Sequence, residues 1–355
     1  MLFYLGFIIL CLFIVGYIAI MIIMYWRRNP QITITATTIP PSMQTDNKRP
    51  SIVTATYLGT RGDMGNQIFQ LACIIAAGKR SHAITILPTR ISILPIIELF
   101  DLTQFEWQDV TPEATFYEYD NYERIVIPSD GRIYDINGYR QAYKYFEDFT
   151  NDIKNIFTPR IEILNAVRIV VPPEYIAIHI RKGDYMKFMH KIPLLREFRR
   201  CQLEYYKRGI LKLRESYPEC PLLVCTDSPK WVTPLLAELD SRAILAPIPN
   251  DVNPKFGDFC TLYLANGLVI SNSTYSWWAA YLRSKRLVIC PSPWWDPKGF
   301  IGSGLGLDGP YLHHPHWWLL HADTGEILRE PNGRDNPDTN SDTLTIYKLI
   351  RGILV

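Results

Sequence analysis

The chain has 355 residues, a length that favours two domains or one large one. Hydrophobic residues make up 48% of it, which excludes general disorder and allows a sizeable core. A formal net charge of +2 excludes a broadly basic face for nucleic acid.

Residues 2–26, "LFYLGFIILCLFIVGYIAIMIIMYW", carry no charge. Roughly 20 apolar residues span a bilayer. A cleaved signal peptide has a shorter apolar core, about 7–15 residues, then a small-residue cleavage site. This run is longer, and "IMIIMYWRR" offers no such site. It therefore reads as an uncleaved transmembrane helix, with the lipid bilayer as its partner. Arg27 and Arg28 follow the span; the positive-inside rule alone would put the C-terminal side in the cytosol. Residues 27–54, dominated by Thr, Pro, Asn and Gln, read as an extended stalk, although "SIVTATYL" already has the composition of a strand.

Strands and helices then alternate. "SIVTATYLG" predicts a strand, "NQIFQLACIIAAGKR" a helix and "AITILP" a second strand, together a βαβ unit. The stretch from 90 to 170 is aromatic and poorly periodic. From Pro172 the alternation is clear: "YIAIHI", "PLLVCTD", "RAILAP", "LVIS" and "KRLVICP" as strands; "REFRRCQLEYYKRGILKLRESY", "PKWVTPLLAEL", "FGDFCTLYLANG" and "STYSWWAAYLRS" as helices. Such alternation implies parallel sheet covered on both faces. Ligands of such sheets bind beyond the carboxyl ends of the strands, where "HIRKGD", "CTD" and "ISNST" fall. The segment after Gly299 predicts a loop-rich closure, with a short helix near "LTIYKLIRGIL".

The strand "YIAIHI" has a period of two. Ile176, Ile178 and Ile180 point one way; Ala177, His179 and Arg181 point the other. Gly183 then permits a turn, with Asp184 just beyond. A guanidinium at a strand's carboxyl end suits phosphate oxygens; a structural ion pair beside a satisfied histidine reads equally well. "ISNSTYSWWAAYL" places Ser271, Asn272, Ser273 and Thr274 between strand and helix. These types cap helices, and the free amides there form an anion site to which Ser273, Thr274 or Ser276 hydroxyls add donors. Asn272-Ser273-Thr274 is also a glycosylation sequon, but a tight strand-to-helix turn is a poor place for a glycan. "GTRGDMGNQIFQ" is a glycine-bearing loop without the G-K-[ST] ending of a Walker A loop. It suits close approach to a ligand, with Asn66 and Gln67 as contacts, or is a plain connecting loop. Asp227 ends "VCTD" as a helix cap or a ribose or base ligand.

No D-x-D occurs in the chain, so clustered carboxylates for a Mg²⁺ ion are not expected. Cys11 lies in the span. Cys73, Cys201, Cys220, Cys225, Cys260 and Cys290 contain no C-x-x-C, which argues against zinc. They can pair in an oxidising compartment, or, as with Cys73, Cys225 and Cys290, serve as small buried residues.

Five segments in order resemble the α-1,2-fucosyltransferases of glycosyltransferase family 11. "GDMGNQIFQLACIIAAGKR" resembles the family's G-x-L-G-N-Q-x-F-Q motif, "INGYRQAYKYF" its D-G-Y-x-Q-x-x-K-Y-F segment, "IAIHIRKGDY" its H-x-R-R-G-D-Y motif and "CTDSPKW" its S-D-[DS]-x-x-W segment. "DFCTLYLANGLVISNSTYSWWAAYL" resembles the long motif that ends in S-W-W-x-A. The similarity covers about residues 57 to 300.

The resemblance implies an α/β fold of GT-B type, two Rossmann-like domains facing a cleft, preceded by a single N-terminal transmembrane helix. The boundaries it suggests are 1–26 for the anchor, 27–54 for the stalk, 55–170 for an acceptor-side domain, 171–300 for a GDP-fucose-binding domain and 301–355 for closure and tail. It implies an inverting enzyme with GDP-fucose as donor and a galactose-terminated glycan as acceptor, no metal and no nucleic-acid partner. It implies a Golgi membrane protein of type II orientation with a lumenal catalytic part, against the Arg27 and Arg28 signal. By the same carry-over, Arg181, His179 and Asp184 are the catalytic group. Arg181, Lys182, Asp227, Asn272, Ser273, Thr274 and Ser276 bind the donor, and Gly65, Asn66 and Gln67 face it from the other domain. The general base is open among Asp63, Asp184 and His179. Lys182 stands where the family has a second arginine, and Arg140 where an aromatic is common. A different acceptor or linkage on the same fold, or a non-catalytic glycan-binding membrane protein, are the rival readings.

Overall fold

The computed structural model describes residues 49–60, 62–117, 124–183, 201–283, 286–295 and 311–333. The chain divides into two compact units, Met1–Asn47 and Lys48–Val355, and every described residue belongs to the second. The predicted anchor 2–26, most of the stalk, Asp184 and the terminal helix near "LTIYKLIRGIL" lie outside the described residues. Among the described residues, no helix is long and apolar enough to cross a membrane.

Two sheets carry the second unit. The first has the order β3-β2-β1-β5-β4, with β1 at Ile52–Thr54, β2 at Ile84–Leu87, β3 at Glu106–Trp107, β4 at Ala114–Phe116 and β5 at Ile133–Ile136. All its pairings are parallel. The poorly periodic stretch 90–170 therefore supplies three of its five strands. These are short, and two or three residues cannot display a period.

The second sheet has the order β12-β11-β10-β9-β6-β7-β8. Its strands are β6 (Ile176–Ile180), β7 (Leu222–Thr226), β8 (Ala243–Leu245), β9 (Gly267–Val269), β10 (Leu287–Ser292), β11 (Trp318–His321) and β12 (Ile327–Arg329). Only the edge pair β11–β12 is antiparallel. The segment expected to be a loop-rich closure thus adds two strands to the sheet. From β6 the chain runs outward through β7 and β8, then returns to the other side of β6 as β9. The switch point between β6 and β9 is where an open α/β sheet holds its ligand. The first sheet has its own switch point between β1 and β5.

The period-two reading of β6 holds. Ile176, Ile178 and Ile180 enter one apolar cluster with Tyr205, Ile210 and Leu213. Those last three lie on the buried face of helix α4 (Leu203–Ser216; α1 to α3 are Met64–Ser81, Thr150–Ile156 and Ile161–Val170). Ala177 enters the other cluster, which spans both sheets. "PKWVTPLLAEL" is not one helix: α-helical turns at Pro229–Val232 and Leu236–Leu239 flank a 3₁₀ turn at Thr233–Leu235. Pro234 has no N–H to give a helix interior and crowds the preceding turn.

The two sheets are joined by α1 and by α6 (Thr274–Leu282), which follows α5 (Pro254–Leu264) in the chain. The side chain of Asp63 caps α1 through the Met64 amide at 2.9 Å. The helix is buried over nearly its whole circumference, as expected for one covered on both sides. Phe69 of α1 meets Trp277 and Trp278 of α6 with ring centroids 4.6 and 4.8 Å apart, and Phe146 stacks on Trp278 at 5.3 Å. These aromatics make one core out of two sheets. Replacing such a residue by alanine costs about 3–5 kcal/mol.

Candidate active site

His179 and Arg181 leave β6 at the switch point. His179 is 3% exposed, and its Nδ1 lies 2.8 Å from the Ser271 hydroxyl. Burial, helped by the Arg181 charge, pushes the imidazole down to about 3. It is neutral at ordinary pH and a weak proton acceptor. With Nδ1 committed to Ser271, Nε2 is the nitrogen left to face a ligand.

Arg181 Nη1 is 2.9 Å from Asp227 Oδ2. The other carboxylate oxygen of Asp227 accepts from the Lys182 amide at 3.0 Å, the Gly183 amide at 3.2 Å and the Ser228 hydroxyl at 3.2 Å. The carboxylate expected as a helix cap or sugar ligand therefore organises the β6 exit. Gly183 leaves room for that carboxylate: a Cβ there would stand 2.5 Å from Asp227 Oδ2 and displace it. Lys182 turns away from Arg181, and its ammonium lies 4.2 Å from the centre of the Trp231 ring. Lys182, Gly183, Asp227, Ser228, Pro229, Lys230 and Trp231 line a cavity of about 410 Å³.

The turn into α6 lies beside this exit because β9 pairs with β6. Ser273 is the cap residue of α6, but its side chain makes no capping bond. The first amides of the helix are thus left for other partners. The buried Ser276 hydroxyl donates back to the Ser273 and Ser271 carbonyls. Asn272 is 5% exposed; its Nδ2 donates to the Trp294 carbonyl at 3.1 Å, and its Oδ1 meets the Cys201 thiol at 3.7 Å. Its side chain faces the protein interior. At this turn the first backbone amides of α6 and the Ser273 hydroxyl are what can meet an anion.

Gly65, Asn66 and Gln67 come to the same place from the first sheet. A Cβ on Gly65 would lie 2.5 Å from the carbonyl carbon of Thr274, so the glycine is where α1 and α6 cross. Asn66 Oδ1 accepts from Gln141 at 2.7 Å and from the Thr274 hydroxyl at 3.2 Å. Its carboxamide ties α1 and the segment after β5 to the α6 turn. Gln67 is buried and donates weakly to the Gly62 carbonyl at 3.5 Å.

Asp63 lies between the sheets too. Lys255 holds both of its carboxylate oxygens at 3.0 Å. Burial would raise its carboxyl, but Lys255, the Met64 amide and the charge of Arg181 outweigh it and leave it below the ordinary 3.8. Among the described residues, no three of His, Cys, Asp and Glu cluster as metal ligands. Of the six cysteines among the described residues, all but Cys220 are buried.

The family model described as glycosyl transferase family 11 matches residues 19–298. The chain belongs to that family. It is similar to an α-1,2-colitosyltransferase of Escherichia coli, 25% identical over 190 residues, which is 51% of this chain and 62% of that protein. It is similar to galactoside α-(1,2)-fucosyltransferase 2 of Bos taurus, 22% identical over 316 residues, 82% of this chain and 87% of that one. The chain spans 62% of the colitosyltransferase and 61% of a second E. coli relative, an O-antigen biosynthesis glycosyltransferase. Among solved structures, fucosyltransferase NodZ from Bradyrhizobium gives a TM-score of 0.44 at 13% identity, over 66% of this chain and 93% of that one.

Motif reading of this family 11 chain passed over one residue that the geometry brings forward. Asp258 sits on α5 inside "FGDFCTLYL". Burial, with the charge of Asp227, pushes its carboxyl up to about 7, against the Cys225 thiol and the Thr226 amide. The signal was present as the aspartate that opens the long motif. Its place against Cys225 and Thr226 of β7 depends on packing and cannot be counted along the chain.

Proposed function

We propose that this chain is a membrane-anchored, inverting glycosyltransferase of GT-B type that moves L-fucose from GDP-fucose in α-1,2 linkage to a galactoside. One observation carries the reading. In a family 11 chain, the Arg181 guanidinium, fixed by Asp227, stands at the switch point beside the open N-terminus of α6. That is a place for the leaving diphosphate. The acceptor hydroxyl oxygen bonds to the anomeric carbon as the bond to the diphosphate breaks. GDP departs with the electron pair, and the hydroxyl proton passes to a base or to water. Arg181 and the α6 amides meet the developing charge, and no metal is required. Neutral His179 orients the donor through Nε2. Its low basicity speaks against it as the base, and Asp63 is an ionised carboxylate close enough to feel Arg181. The α-1,2 linkage is shared by the names of the E. coli colitosyltransferase and the Bos taurus fucosyltransferase. The E. coli name specifies colitose, which supports a second reading with another deoxysugar as donor cargo.

The test uses the full chain in detergent, GDP-fucose, excess chelator and a panel of β-galactosides, with GDP release and product linkage as readouts. A fucosyl-α-1,2-galactoside is expected. Folded protein that releases no GDP on any acceptor would favour the non-catalytic reading, and turnover of only another nucleotide sugar the second one. With residues 2–26 as the anchor, the family resemblance supports a type II Golgi placement with the large unit lumenal, against the Arg27 and Arg28 signal. Protease protection of microsomes tests it: digestion from the cytosolic side would overturn it.

A further inference from the structure

The exposed aromatic side chains are not scattered. Among the described residues, the Phe, Tyr and Trp side chains that stand well exposed are Tyr57, Tyr117 and Tyr139, at 44%, 50% and 41%. All three lie just past the carboxyl end of a parallel strand of the first sheet. Tyr57 follows β1, Tyr139 follows β5 and Tyr117 follows β4. Those strands are neighbours in the order β2-β1-β5-β4. Arg90 follows β2 in the same way, and with Thr56, Tyr57 and Thr60 it lines a cavity of about 450 Å³. That volume is in the range of small-ligand sites.

The row is held rigidly. The buried carboxylate of Asp135, on β5, accepts from the Thr56 amide at 2.7 Å. Leu58, next to Tyr57, is fully buried, and Thr60 donates twice to the Tyr57 carbonyl, through its amide at 3.0 Å and its hydroxyl at 2.7 Å. On the other side, Gly138 has φ of 120° and Arg140 φ of 54°. The buried Arg140 donates to the Phe116 carbonyl at 2.6 Å, which joins the β5 exit to the β4 exit. Arg140 is also a place where the chain departs from the family pattern. This edge presents aromatic faces and hydroxyls together to solvent. It suits a ligand with both C–H faces and hydroxyls.

We infer that Arg90, Tyr57, Tyr139 and Tyr117, in that order along the sheet edge, form the subsite for an acceptor oligosaccharide. This rests on the transferase reading above. Tyrosine rings stack on the C–H faces of pyranose rings, their hydroxyls and Arg90 bond the sugar hydroxyls, and aromatic contact area is the larger energetic part. Neighbouring strands are about 4.8 Å apart. The row from β2 to β4 is therefore roughly 14 Å long, which fits a short oligosaccharide and exceeds one ring.

The test measures acceptor KM in the full chain, with the dissociation constant for GDP as the donor-site control. Tyr57→Ala and Tyr139→Ala are expected to raise acceptor KM at least tenfold and to move GDP binding less than twofold. Tyr57→Phe should restore most of the loss, as stacking demands. Tyr117→Ala should weaken a trisaccharide acceptor and spare methyl β-galactoside. Unchanged acceptor KM in both alanine variants overturns the subsite. If the wild type turns over no GDP-fucose, the transferase reading fails separately. Ligand-observed saturation-transfer NMR with N-acetyllactosamine then decides the subsite: a signal lost in Tyr57→Ala supports it, and no signal with wild type overturns it.

Discussion

Asp227 reaches back across 45 positions of sequence to grip the β6 exit: one oxygen meets Arg181 at 2.9 Å and the other accepts from the Lys182 amide at 3.0 Å. Both side chains are about three-quarters buried. The carboxylate fixes the guanidinium and folds the turn that follows it. Its charge also lowers the cost of holding Arg181 partly out of water.

Asp227 should therefore act through Arg181. Charge-assisted bonds of this kind contribute about 1.5–3 kcal/mol. Asp227→Asn keeps an acceptor for the two amides but drops the charge, and should cost about tenfold in kcat/KM; Asp227→Ala should cost about a hundredfold. Wild-type kinetics in the alanine variant would remove Asp227 from this role.

Gly65→Ala should loosen the crossing of α1 and α6. The added methyl has no room against the Thr274 backbone, and overpacking of this kind costs about 1–3 kcal/mol. Urea unfolding at constant m-value reads the loss. A variant as stable as the wild type would show that the helices cross elsewhere.

The half-buried acid on α5 gives a signed pH effect. Asp258 is held neutral in the folded chain up to about 7, against an ordinary 3.8. Its contribution to stability is full below about pH 4 and is lost as pH rises to about 7, by up to ~4 kcal/mol. Asp258→Asn should flatten the stability curve over that window and be the more stable chain at pH 8. Parallel curves for the two proteins would refute the burial argument.

Two histidines act in the opposite sense. Burial pushes His179 and His314 down to about 3 from an ordinary 6.5. Their contribution is full above about pH 6.5 and is lost as pH falls toward 3. His314 packs 5.3 Å from both Tyr143 and Trp317, so His314→Phe keeps a ring there and removes the titration. Its midpoint of acid unfolding, followed by tryptophan fluorescence, should shift to lower pH.

The sequon at Asn272 should stay empty in a glycosylating host, because the side chain is buried against the Trp294 carbonyl. Peptide mapping after endoglycosidase treatment checks this, and a glycan on Asn272 of folded protein would contradict the turn.

Strand–helix alternation, the two faces of β6 and the family motifs could all be read along the chain. They depend on local periods, two for a strand and 3.6 for a helix, and on residues close in sequence. Strands of two or three residues, such as β3 and β4, were beyond that reading because they are too short to show a period. The ion pair between Arg181 and Asp227, the contact of Gly65 with Thr274 and the seat of Asp258 against β7 were decided only by the tertiary structure. Each joins segments that sheet order makes adjacent, and spacing along the chain carries no record of that order. The tyrosine row is of the same kind. Tyr57, Tyr117 and Tyr139 are unremarked singly, and they become a surface because β1, β5 and β4 lie side by side and end at one edge.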